Sequence, residues 1–170
     1  MIAELKKLKC GKIYEDVDLK KITSYKLKGK AKCVIIPNDQ KGLITLFDYI
    51  KKNKLKYKII GGGSNLIFDG DYDGILIRLD KFDHLKIEDT KIVVGAGYNL
   101  IRLALKCARN SLTGLEFATG IPGTVGGAIV NNAGAYKSDM GYIVEEVLVI
   151  TPELEIKKLY NRDLNFHYRT

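Results

Sequence analysis

The chain has 170 residues, 46% of them hydrophobic and 28% charged, which is the balance of a folded globular protein and not of a disordered or collagen-like one. No run approaches about 18 apolar residues, so no membrane span is expected, and the charged start MIAELKKLKC lacks the apolar stretch of a signal peptide, which points to a cytoplasmic chain. The net charge of +8 is concentrated in residues 1–60, which hold 16 lysines, no arginine and 6 acids. Lysine is a solvated point charge and not the planar fork that reads phosphates and bases, and no RNA- or DNA-binding motif accompanies it, so no nucleic-acid partner is expected.

Residues 32–37 (KCVIIP) predict a short buried strand closed by Pro37. Asp39 caps a helix expected through Asn53, whose Leu43, Leu46, Phe47 and Ile50 recur at helical spacing. A strand over 57–60 runs directly into a glycine loop, and another follows over 74–79. This strand–helix–strand–strand order makes a small α/β lobe. Next come a hairpin, 85–88 with 91–95, turning at Asp89-Thr90, and a helix from Asn99 to Asn110 with Leu100, Leu103, Ala104 and Cys107 on one face. A glycine-rich stretch occupies 114–141, and strands return over 143–151 and 154–159.

Cys10, Cys33 and Cys107 show no paired spacing, so neither zinc nor a disulfide framework is expected; Cys33 and Cys107 lie in apolar runs and read as reduced core residues. His84 reads as a surface residue, and His167 stands beside Tyr168-Arg169.

Fourteen of the 17 glycines fall between Gly61 and Gly141. Glycine loses the most backbone freedom on folding, so such a cluster implies tight turns or close approach of main chain to a ligand. Gly61-Gly62-Gly63-Ser64-Asn65 follows a strand and can aim several N–H groups at an anion, but no Gly-Lys-Ser/Thr follows, so it is not a P-loop. Gly95-Ala96-Gly97 lacks the third glycine of a Rossmann fingerprint and reads as a strand-to-helix turn. The run 120–128 (GIPGTVGGA) fixes a turn at Pro122-Gly123 and leaves main chain bare at Gly126-Gly127. Asn131-Asn132-Ala133-Gly134-Ala135-Tyr136 follows, again of small residues and ending in an aromatic. A flat ring with a pyrophosphate, such as FAD, suits these surfaces, and Gly123 and Gly126 are expected to serve the ligand more than the fold.

The runs GGGSNLIFDGDYDGILIRL and GLEFATGIPGTVGGAIVNNAGAY, with Tyr168-Arg169, resemble the UDP-N-acetylenolpyruvoylglucosamine reductase (UDP-N-acetylmuramate dehydrogenase) family. The likeness extends over residues 11–170. It implies an α+β fold, the two-lobed FAD-binding architecture of the vanillyl-alcohol-oxidase (PCMH) type, with lobes expected at 1–79 and 80–170. It implies FAD bound without covalent attachment, NADPH as hydride donor and a UDP-sugar enolpyruvyl substrate of peptidoglycan precursor synthesis. Carried onto this sequence, the flavin-contacting residues are Gly61, Gly62, Gly63, Ser64, Asn65 and Leu66, then Gly120, Ile121, Pro122, Gly123, Thr124, Gly126 and Gly127, then Asn132, Ala133, Gly134, Ala135 and Tyr136; the active-site arginine is Arg169. Residues 23–30 depart from the family's Gly-Gly-Pro-like run by being lysine-rich. The family's serine proton donor, its catalytic glutamate and its C-terminal substrate domain lie beyond Tyr168-Arg169, so the resemblance implies the FAD-binding part, without turnover on its own. The alternatives are another flavin oxidoreductase of the same fold and a non-catalytic flavin-binding module.

Overall fold

The computed structural model describes residues 1–167 and divides into two compact units, Met1–Phe82 and Asp83 onward. Arg169, the expected active-site arginine, lies outside the described residues.

In the first unit, helix α1 (Ile2–Lys7) precedes strand β1 (Gly11–Asp18), β2 (Lys30–Pro37), helix α2 (Gln40–Lys52), β3 (Tyr57–Ile60) and β4 (Tyr72–Arg78). The sheet order is β1-β2-β4-β3, with β2 and β3 both parallel to β4 and β1 antiparallel to β2. Parallel strands covered on both faces need near-continuous apolar runs, which is what β2 and β4 supply. Cys33, Val34 and Ile35 register against Ile75, Leu76 and Ile77, and all six are buried. The crossover helix α2 starts where the Asp39 carboxylate accepts from the Gly42 N–H at 2.8 Å, satisfying one orphan donor of its first turn. It buries Leu43, Leu46 and Ile50, while Phe47 sits at the edge of that face in edge-to-face contact with Tyr57.

The second unit opens with the hairpin β5 (Leu85–Glu88) and β6 (Lys91–Val94), followed by helix α3 (Leu100–Arg109) and helix α4 (Val125–Val130). Two further antiparallel pairs follow, β7 (Gly134–Ala135) with β8 (Ser138–Asp139), and β9 (Glu146–Ile150) with β10 (Ile156–Tyr160). Its core gathers Leu100, Leu103, Ala104 and Cys107 of α3 with Phe117, Val125 and Met140. The Asn99 side chain caps α3 by accepting from the Arg102 N–H at 2.9 Å. All three cysteines are buried and free.

Three elements depart from the sequence reading. α1 and β1 carry no strong periodic signal, and α4 forms from a segment with two consecutive glycines, against helix propensity. Among the described residues no helix is long and apolar enough to cross a membrane, and no three metal-ligating side chains converge.

Candidate functional site

In the first unit the glycine loop leaves β3 at Ile60, which is buried. Gly63 adopts φ +65°, the left-handed region that favours glycine, and a Cβ there would lie 2.1 Å from the Ile22 carbonyl oxygen. The Gly63 carbonyl accepts from the Ser24 N–H at 2.9 Å. Thr23, itself buried, anchors that neighbouring strand of chain by donating its hydroxyl to the Leu19 carbonyl at 2.8 Å. Residues 22–24 thus brace the loop from beneath. The sequence reading missed this support, and its one local sign is the hydroxyl pair Thr23-Ser24 between an apolar residue and a lysine-rich turn. Gly62 and Asn65 remain exposed, Gly61 and Ser64 are partly so, and Leu66 packs against the unit's core.

In the second unit the expected ligand-contacting turn is stitched to the strand-to-helix turn at 95–99. Leu100 N–H donates to the Gly123 carbonyl at 3.1 Å, Val125 N–H to Tyr98 at 2.9 Å, and Gly126 N–H to Ala96 at 2.8 Å. Thr124 caps α4, its hydroxyl accepting from the Gly127 N–H at 3.3 Å. The amides of Val125, Gly126 and Gly127 are therefore spent inside the protein. A Cβ on Gly126 would lie 2.9 Å from the Ala96 Cβ, so packing alone already requires the missing side chain there. Gly123 has φ +140°, a turn requirement. Gly120 differs: it is exposed, and a Cβ added there would meet nothing within 4 Å. Pro122 is exposed beside it, and Ile121 packs against the core.

Further along, Asn132 is buried and held at both ends of its amide. It donates to the His167 carbonyl at 3.1 Å and accepts from the Gly141 N–H at 2.9 Å. This bond seats the residue that immediately precedes Tyr168-Arg169 against the α4–β7 turn. Ala133 and Ala135 are partly buried, and Gly134 is exposed. Tyr136 and Lys137 form the two-residue tip of the β7–β8 hairpin at φ +53° and +64°. A turn of that hand favours Asn-Gly, so a tyrosine there is strained, and strain of this kind gathers at functional sites. Tyr136 is 90% exposed.

Each unit by itself offers a surface that suits part of a flat anionic cofactor. In the second unit main chain faces open space at Gly120, and in the first the braced loop around Gly62 presents backbone without side chains.

A family model described as FAD binding domain matches residues 31–160. The UDP-N-acetylenolpyruvoylglucosamine reductase of Bacillus subtilis (strain 168) is 40% identical over 172 residues, covering 100% of this chain and 57% of that protein. The reductase of the same name from Bacillus pumilus is 40% identical over 169 residues, covering 98% and 56%. The chain thus spans little more than half the length of the curated relatives it matches. Among solved structures, the UDP-N-acetylenolpyruvylglucosamine reductase of Thermus caldophilus superposes with a TM-score of 0.75 at 30% identity, over 94% of this chain and 55% of that one. Glucooligosaccharide oxidase from Acremonium strictum superposes at 0.70 with 14% identity, over 95% of this chain and 36% of that one, a likeness of fold alone. The α+β FAD-binding fold of the vanillyl-alcohol-oxidase type expected from the sequence is borne out, FAD is its cofactor, and the chain belongs to the FAD binding domain family.

Proposed function

We propose that this chain is the FAD-binding part of a UDP-N-acetylenolpyruvoylglucosamine reductase. The observation that supports it most is the 40% identity to such reductases across the entire chain, carried on a fold whose glycine-bearing turns are braced by named contacts. When bound, FAD would take hydride from NADPH and supply it to the enolpyruvyl double bond of the UDP-sugar substrate.

The chain's own residues would bind and position. Gly61, Gly62, Gly63, Ser64 and Asn65 would approach the pyrophosphate with main-chain and side-chain donors, held in shape by Ser24. Gly120, Pro122, Gly123 and Thr124 would let the cofactor lie against bare backbone, whereas Val125, Gly126 and Gly127 hold the turn in place with their bonded amides. Tyr136 would cover an apolar ring face and shed water from it. Arg169 would meet the substrate carboxylate and stabilise charge as it develops there, and Asn132 would fix where that segment begins through the His167 carbonyl. A guanidinium stays charged at working pH, so Arg169 cannot supply the proton that completes the reduction. That proton would come from another group, and by themselves these 170 residues would hold flavin without turning over substrate.

Anaerobic titration of the FAD-loaded chain with NADPH tests the proposal. Bleaching of the flavin band at about 450 nm is expected, with no substrate-dependent NADPH oxidation. A flavin band untouched by excess NADPH would contradict the reductase assignment. Steady turnover of the enolpyruvyl substrate by these 170 residues would contradict the division of labour.

A further inference from the structure

Helix α3 buries Leu100, Leu103, Ala104 and Cys107. At 3.6 residues per turn, Arg102, Leu105, Lys106 and Arg109 fall on the opposite side within about 100° of the circumference. With Tyr98 they line an open groove of about 420 Å³ on the surface, and all four helix residues are exposed. Tyr98 is half-buried against the core below, so it forms a fixed wall, and Leu105 is 46% exposed among the cations.

Five of the 28 basic residues are arginines, and two of those five stand here. Among the described residues Arg102, Lys106 and Arg109 form no ion pair. Like charges three and four residues apart on a helix repel. The helix dipole accounts for Lys106 and Arg109, which occupy the last turn, where cations are favoured. It does not account for Arg102, which lies in the first turn, at the positive end.

We propose that this face of α3 is an anion site for a diphosphate-bearing small molecule. Two guanidinium forks can each take phosphate oxygens in pairs, and Lys106 adds a point charge between them. The three positive charges match the two to three negative charges of a diphosphate, and Tyr98 offers a surface for a base. None of these five residues belongs to the stretches assigned to the flavin.

The chain, with and without saturating FAD, is titrated with ADP and separately with inorganic pyrophosphate by calorimetry and by NMR of the α3 amides. Saturable binding that shifts the α3 amides is expected, leaving the flavin absorbance unchanged. Arg102→Ala with Arg109→Ala should weaken it about tenfold or more, and Arg102→Gln alone should weaken it less while keeping the fold. Tighter binding of ADP than of pyrophosphate assigns a nucleotide; equal binding assigns the diphosphate alone. Absence of binding, binding unmoved by the variants, or ADP that merely displaces flavin would overturn the proposal. Failure of the flavin assignment would show separately, as missing flavin absorbance, with the arginine variants still readable.

Discussion

A methyl group added at Gly126 would sit 2.9 Å from the Ala96 Cβ, whereas one added at Gly120 would meet nothing within 4 Å. Two glycines of one motif thus carry different burdens, and substitution separates them. Gly126→Val should lower stability by about 1–3 kcal/mol through overpacking, seen as a fall in the unfolding midpoint. Gly120→Val should leave that midpoint unchanged and weaken FAD binding by about tenfold, equivalent to roughly 1.4 kcal/mol of lost contact. The Tyr72 hydroxyl is buried without a hydrogen-bond partner among the described residues. Its ring meets Phe68 edge to face and Lys56 at 5.0 Å, contacts that phenylalanine would retain. Tyr72→Phe should therefore be neutral or stabilising by up to about 1 kcal/mol in denaturant melts. Burial, with smaller contributions from Glu15 and Cys10, pushes the Cys33 thiol from 9.0 up to about 11. In the unfolded chain this thiol ionises first, so its contribution is full below pH 9.0 and is lost as pH rises through about 11. Comparing unfolding curves of the wild-type chain and Cys33→Ala across that range should show the extra alkaline loss only in the wild type.

At the level of elements, the legible parts were those whose burial repeats. β2 and β4 announce themselves as apolar runs because both of their faces are covered. α2 and α3 announce themselves by a capping Asp39 or Asn99 and an apolar stripe. β1 was illegible because it is an edge strand, half-exposed, with Asp16 in the left-handed region breaking its alternation. α1 lacks a side-chain cap and has only six residues. α4 was illegible because what makes it helical is not local: Gly126 is drawn onto Ala96 by a hydrogen bond and a contact that only the folded chain reveals. The glycine loops of the candidate site were visible in the sequence, but the bracing of Gly63 by Ser24 joins residues far apart in the chain and was not. The strained Tyr136-Lys137 tip gives a test at this scale. Replacing the pair with Asn-Gly should stabilise the second unit by about 1 kcal/mol in thermal melts while weakening FAD binding, since the favoured turn residues relieve φ strain but remove the exposed ring.

At the scale of the whole molecule, the Lys-rich first 60 residues form exposed ion pairs, such as Lys32 with Asp73 and Lys6 with Glu15, both at 2.6 Å. Exposed pairs of this kind contribute little to stability, so the lysines act mainly as a solvated coat. Each unit has its own core, and the expected flavin-contacting residues are found in both units. If these 170 residues hold FAD through bare main chain, fluorescence titration of FAD with the purified chain will show it. Saturable quenching with one flavin per chain, weakened in Gly120→Val although that variant melts like the parent, is the predicted result. No quenching up to high micromolar protein, or equal affinity in the folded Gly120→Val chain, would contradict it.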